Sequence, residues 1–290
     1  MNEKSTDKLK NQAFRIPKSL IYGGKSLEFI SPKLAAIYLS KIFETPPKFD
    51  TPERELIFRK SAKNEIVQIP GTGKEVMVYS YGFSKTKVLL LHGWAGRGSQ
   101  LYHMADKILE NRMMVISPDA PAHGLSSGKI TNMLDYVETI QVLDKKYGPF
   151  DYAIGHSWGA MALLNSISRG FNVKKAITLG ADDRIIDVLR SFVQKFEVRE
   201  EIAETILNKY AKRFKIGIHD YDSTVAAQHI DIPTLVIHDT TDAFVPVRSA
   251  ISIRQKLSNG TLLITNGLGH HKIFRDPNVI DRIIKFMQEQ

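Results

Sequence analysis

Gly155-His156-Ser157-Trp158-Gly159 sets a serine between two glycines at G-x-S-x-G spacing, after the apolar run YAI and before a stretch suited to a helix. A side chain held at so tight a strand-to-helix turn leaves no room for Cβ atoms two positions away on either side. The glycines are therefore what a serine displayed for nucleophilic attack requires. A serine hydroxyl is a weak nucleophile and needs an adjacent base, itself oriented by an acid. An elbow of this kind places the acid and then the base downstream. After TLVIH comes Asp239-Thr240-Thr241-Asp242-Ala243-Phe244-Val245-Pro246, and after TLLIT comes Asn266-Gly267-Leu268-Gly269-His270-His271. Asp242 is the expected acid, because Asp239 sits nearer its strand and suits a turn-forming role. His270, directly after glycine, is the expected base in preference to His271.

Acyl transfer also needs two donors aimed at the developing oxyanion. The backbone N–H of Trp158 qualifies, since it follows the serine at the N-terminus of a helix whose dipole favours an anion. The second is expected from His92-Gly93-Trp94-Ala95-Gly96, as the N–H of Trp94. The indoles of Trp94 and Trp158 are then left to line an apolar pocket with Phe192, Phe196, Phe214 and Phe244. His156 is expected to pack or bond structurally, and His92 and His123, each preceding glycine, read as loop-turn residues.

These side chains lie far apart in sequence, so the elements between them must bring them together. From about residue 64, short β-rich apolar runs alternate with amphipathic segments, as in βα units around a mostly parallel sheet. Strands are expected at 65–69, 75–81, 87–93, 113–119, 152–157, 175–180, 234–239 and 261–266, the first two as a hairpin around Gly71-Thr72-Gly73. Helices are expected at 99–111, 132–147, 158–170, 247–258 and 277–289. The fold class is therefore α/β, a mostly parallel eight-stranded sheet flanked by helices, whose loops converge at the carboxyl ends of the parallel strands. More than fifty residues separate KAITLG from TLVIHD, and their i, i+3, i+4 spacing predicts helices, an insertion at about 182–230 placed to cap a site. Residues 1–62 form an N-terminal helical extension ahead of the 63–290 domain. Ser31-Pro32 opens a helix there with Leu34, Ile37, Tyr38 and Ile42 as its stripe, and Thr51-Pro52 opens a second. These helices are expected to pack on the main domain, with peripheral membrane contact by a basic amphipathic arm as the lesser alternative.

Composition limits the partners. The chain has 40 Lys+Arg against 31 Asp+Glu, a net +9, and no cysteine. The excess sits mainly at 1–60, with 12 basic and 7 acidic residues, and at 190–215, with 7 and 4. Neither zone interleaves a Lys/Arg run with aromatics, which argues against nucleic acid. The absence of cysteine excludes a disulfide framework, a thiol nucleophile and thiolate metal sites. The charged start, MNEKSTDKLKNQAFR, is followed by no apolar h-region, so a soluble, cytoplasmic protein is expected.

LLLHGWAG at 89–96, DAPAHGLSSG at 119–128, GHSWGA at 155–160, HDTTDAFVP at 238–246 and GLGHHKIFRDP at 267–277 together resemble the α/β-hydrolase fold superfamily, in particular the bacterial capped esterase-like hydrolases. The likeness runs from about residue 64 to the C-terminus. It implies Ser157 as nucleophile, Asp242 as acid, His270 as base, the Trp94 and Trp158 amides as oxyanion donors, and no metal or organic cofactor. Ala122-His123-Gly124 departs from the commoner Gly-His-Gly, and serine rather than aspartate at the elbow argues against the dehalogenase branch. The expected activity is a serine hydrolase cleaving a small-molecule carboxylic ester. The alternatives are a thioesterase, acyltransferase or C–C bond hydrolase with the same triad, or a non-catalytic ligand-binding member of the fold.

Overall fold

Eight strands form one sheet in the order β1-β2-β4-β3-β5-β6-β7-β8. They are β1 (Lys63–Ile69), β2 (Lys74–Tyr81), β3 (Lys87–Leu91), β4 (Met114–Pro118), β5 (Tyr152–His156), β6 (Lys175–Leu179), β7 (Thr234–Asp239) and β8 (Gly260–Thr265). The computed structural model describes residues 16–289; the first fifteen residues of the expected extension lie outside them. Strand β2 pairs antiparallel with both β1 and β4, and every other pairing is parallel. The hairpin turn is closed by Gly73 N–H donating to the Ile69 carbonyl at 2.9 Å, with Gly73 at φ +65°. In β3, β5 and β6 only the first residue is not buried, and β7 is buried throughout, as continuous apolar runs covered on both faces must be. The edge strand β8 has partly and fully exposed positions.

The helices are α1 (Lys18–Ile30), α2 (Pro32–Phe43), α3 (Glu53–Ser61), α4 (Tyr102–Glu110), α5 (Met133–Tyr147), α6 (Trp158–Ile167), α7 (Ile185–Gln194), α8 (Glu201–Phe214), α9 (Ser223–Ala227), α10 (Arg248–Lys256), α11 (Gly269–Lys272) and α12 (Pro277–Gln288). Among the described residues, no helix is long and apolar enough to cross a membrane. The chain divides into two compact units. The larger, Glu44–Ile185 with His219–Gln290, contains the sheet. Its principal core joins Val88 and Leu90 of β3, Ile154 of β5 and Leu235 of β7 to Met104 and Ile108 of α4 and Ile280 and Ile283 of α12. Helix α12 starts as its sequence dictates, with Pro277 in the first turn and the Asp276 carboxylate accepting from Val279 N–H at 3.1 Å.

The smaller unit gathers the described residues up to Phe43 together with Ile186–Ile218. Helix α1 has no counterpart among the expected elements, because Gly23-Gly24 reads as a break. The pair nevertheless lies inside a continuous helix, with Gly24 buried. A Cβ on Gly24 would lie 3.5 Å from Leu39 and 3.6 Å from Phe196, and one on Gly23 would lie 2.9 Å from the Tyr38 hydroxyl. In α2 the expected stripe is not the buried one: Ala35, Ala36, Leu39 and Ser40 are buried, while Leu34 and Ile37 are exposed. Within the unit, Arg199 binds Glu28 at 3.0 Å, Tyr210 donates to the Ser40 carbonyl at 3.3 Å, and Arg190 pairs with Glu200 and Glu204.

In the larger unit, α3 carries a buried anion. Glu55 accepts from Arg97 Nε at 2.6 Å and Nη2 at 2.9 Å and from Ser99 Oγ at 2.8 Å, with Glu55 only 1% exposed. The pair ties α3 to the chain that leaves β3. Removing one member leaves the other charge buried alone, so Glu55→Ala is expected to lower stability by about 3–5 kcal/mol in a urea titration, against a smaller loss for Glu55→Gln. An alanine variant within about 1 kcal/mol of the parent would show that Arg97 re-solvates.

Candidate active site

Ser157 stands between β5 and α6 with φ 53° and ψ −119°, a conformation L-residues seldom adopt. Its neighbours permit it. A Cβ at Gly155 would come within 2.6 Å of Ala160 Cα, one at Gly159 within 2.5 Å of the His92 carbonyl oxygen, and one at Gly93 within 2.9 Å of Ser157 Cβ. The Ser157 amide donates to the Leu179 carbonyl at 2.8 Å, which fixes the turn to the end of β6.

His270 lies on the one-turn helix α11 and Asp242 in the loop after β7. The His270 Nδ1–H donates to Asp242 Oδ2 at 2.6 Å, because a carboxylate can only accept. Its Nε2 is thereby left as an acceptor, 3.0 Å from the Ser157 hydroxyl. Asp242 Oδ1 accepts from the amides of Phe244 (2.8 Å) and Val245 (3.0 Å). Burial works to raise the Asp242 pKa, but the hydrogen bond and charge of His270 and those two amides outweigh it, and the group stays anionic. Gly180, at φ +61°, lies against the imidazole: a Cβ there would meet His270 Cε1 at 3.2 Å. This chain of contacts can withdraw a proton from Ser157 Oγ and spread the resulting positive charge toward Asp242.

The sequence-derived candidates divide into two groups. Ser157, His270 and Asp242 are in mutual hydrogen-bond reach. Trp158 is the first residue of α6, so its amide sits at the positive end of the helix dipole beside Ser157. The indoles of Trp94 and Trp158 meet edge to face at 5.6 Å, and Trp94 also meets His123 at 5.2 Å. The Phe244 ring lies 5.2 Å from the His270 ring. The other three rings belong to the smaller unit. Phe192 contacts Phe43 and Phe196, Phe196 is fully buried, and Phe214 stacks on Tyr210. They occupy core or helix-pair positions of that unit.

Three residues outside the triad shape it. Asp239 turns its own loop by accepting from the Thr241 amide and hydroxyl (2.9 and 2.6 Å), the expected local role. It also accepts from Thr265 Oγ1 (2.7 Å) and from the amides of Leu268 (3.0 Å) and Gly269 (2.9 Å), which its sequence position does not reveal. Burial opposes its charge, yet these hydroxyls and amides hold its carboxyl far below the usual carboxylate range. The Asp242 and His270 loops are thus latched to one carboxylate. His156 donates through Nε2–H to the His270 carbonyl at 2.9 Å, and burial keeps it neutral. His92 donates from Nδ1 to the Gly93 carbonyl at 2.7 Å and accepts the Ala120 amide at Nε2 at 2.8 Å, pinning the loop after β3 to the loop after β4.

Family and fold comparisons agree with the sheet-and-helix architecture. The family model for the alpha/beta hydrolase fold matches residues 86–215, and that for TAP-like proteins matches residues 218–289. A Pyrococcus furiosus esterase superposes with a TM-score of 0.65 at 17% identity, over 84% of this chain and 96% of its own. A Bacillus anthracis bromoperoxidase gives 0.61 at 18% identity, over 78% of this chain and 100% of its own. An Exiguobacterium antarcticum esterase gives 0.60 at 17%, over 78% and 100%. No curated protein matches the sequence significantly. Identities this low speak to fold alone.

Two measurements follow from the geometry. Burial lowers the pKa of His92 and His271 to about 4 and of His123 to about 3, from 6.5 in the unfolded chain. The folded state thus holds them neutral while the unfolded state takes up protons. Their contribution to stability is complete above 6.5 and is lost as the pH falls toward 4. The urea midpoint is expected to drop steeply between about pH 6.5 and 4, and a flat profile would contradict the burial. Asp239→Asn keeps the side chain's shape but leaves one accepting oxygen where two now accept. Modification of Ser157 by a fluorophosphonate is expected to slow by about ten- to hundredfold while circular dichroism stays that of the parent. Undiminished reactivity would show that the two loops hold their register without the latch.

Proposed function

Given that the chain is a member of the α/β-hydrolase fold superfamily, we propose that it is a serine hydrolase that cleaves a carboxylic ester through an acyl-enzyme. The observation that carries this is the relay from Ser157 Oγ to His270 Nε2 at 3.0 Å and from His270 Nδ1 to Asp242 at 2.6 Å. Ser157 attacks the carbonyl carbon as His270 takes its proton. The imidazolium so formed is stabilised by Asp242 and returns the proton to the leaving alcohol. Water then attacks the acyl-enzyme by the same proton path, restoring Ser157.

The tetrahedral oxyanion of each step falls to the amides of Trp158 and Trp94, each such donor typically contributing about 3 kcal/mol to barrier lowering. The dipole of α6 adds to the first of them. The half-buried Trp94 and Phe244 rings supply an apolar wall for an acyl or alcohol part. Of the three structural neighbours described above, two are named as esterases and one as a bromoperoxidase.

A fluorophosphonate is expected to label the parent protein on the peptide containing Ser157 and to leave Ser157→Ala unlabelled. Turnover of short p-nitrophenyl esters by that variant should fall by about four orders of magnitude or more. If thioesters are cleaved and oxygen esters are not, the acyl group is retained and the leaving group reassigned. A parent protein inert to both the probe and an ester panel would end the enzyme reading.

A further inference from the structure

Helices α1 and α2 leave five large apolar side chains on the outside. In α1, Tyr22 is 63% exposed, Phe29 93% and Ile30 70%; in α2, Leu34 is 44% exposed and Ile37 52%. The residues buried in the same helices are small or single, namely Gly24, Ala35, Ala36, Leu39 and Ser40. An amphipathic helix of a globular unit normally turns its apolar stripe inward. Here the solvent stripe of α1 reads Lys18, Tyr22, Lys25, Phe29 at spacings of four, three and four, so rings and lysines alternate along one face. On α2, Leu34 and Ile37 share a face and are flanked by Lys33 and, one turn on, Lys41.

The charge that α1 and α2 themselves bring to this surface is mostly positive. Residues 16–43 contain four lysines and one acid, Glu28, which is mostly buried and bonded to the Arg199 amide and guanidinium at 2.7 and 3.0 Å. Lys25 reaches Glu197 in an exposed pair. The fifteen residues ahead of Ile16 add four basic and two acidic side chains. A second copy seated across a two-fold axis would bring Lys18 and Lys33 toward their own equivalents, so self-association is opposed by like charge. Lysines that reach anionic headgroups while aromatic and aliphatic side chains enter the boundary below them suit a lipid surface. We propose that the α1–α2 face of this protein docks on anionic phospholipid bilayers, with Phe29 and Ile30 as the inserting residues and Lys18 and Lys33 as the headgroup contacts.

Co-sedimentation of the full chain with phosphatidylcholine vesicles, and with vesicles of roughly three parts phosphatidylcholine to one part phosphatidylglycerol, tests this. Binding is expected to the anionic vesicles only and to weaken as salt is raised. Phe29→Ser with Ile30→Ser, and separately Lys18→Glu with Lys33→Glu, should each lower partitioning by about tenfold or more. Both pairs are exposed, so thermal midpoints should stay at the parent value. The docking surface is refuted if the parent protein stays in the supernatant with anionic vesicles, or if either double variant binds as well as the parent. It is also refuted if velocity sedimentation shows a dimer that the Phe29/Ile30 variant splits and no vesicle binding accompanies it. None of these outcomes depends on ester turnover.

Discussion

The backbone of Ser157 is held where a residue with a Cβ is strained, at a typical cost of about 1–3 kcal/mol, and much of the surrounding sequence answers that constraint. Glycines at 155 and 159 remove atoms that would collide with Ala160 and His92, and Gly93 leaves room for the serine itself. The amide of Ser157 is held by the end of β6, and its carbonyl accepts from Ala160 as α6 begins. Parallel pairing of β3, β5 and β6 in turn fixes the strand ends from which these contacts arise. Relaxing the serine to an ordinary helical or extended conformation would withdraw the hydroxyl from His270, so the strained turn and the Ser157–His270 hydrogen bond have the same origin.

Around that turn, positional accuracy comes from hydrogen bonds between loops. Asp239 accepts five, from two segments about 28 residues apart in sequence, and His156 and His92 each tie a loop to a neighbour through a ring nitrogen. A buried carboxylate with that many donors is anionic and satisfied. It braces the site through amides and hydroxyls alone, whereas Asp242 three residues on also accepts from the His270 ring.

Where the controlling forces are local, the sequence is readable. The β3 to β8 runs, the elbow and the capped start of α12 are each written within a few residues. Helix α1 was hidden because Gly23-Gly24 lowers helix propensity, and the helix runs through the pair with Gly24 buried near Leu39 and Phe196. The α2 stripe misleads for a related reason: i, i+3, i+4 spacing marks a face without saying whether that face is covered. The further reach of Asp239, and Gly180 beneath the imidazole, depend on strand neighbours that no short window contains. The grouping of the described residues up to Phe43 with 186–218 is a long-range pairing of the same kind.

The Glu55–Arg97 pair also bears on where this protein can be divided. Counting strands would put the start of the sheet-bearing unit at β1, yet a fragment cut there would keep Arg97 and lose its carboxylate. The guanidinium would then have to draw water into the loop that leads out of β3 and carries Trp94. The smallest autonomous sheet unit therefore begins before α3, and a boundary drawn by sheet topology and one drawn by charge neutrality differ by at least one helix.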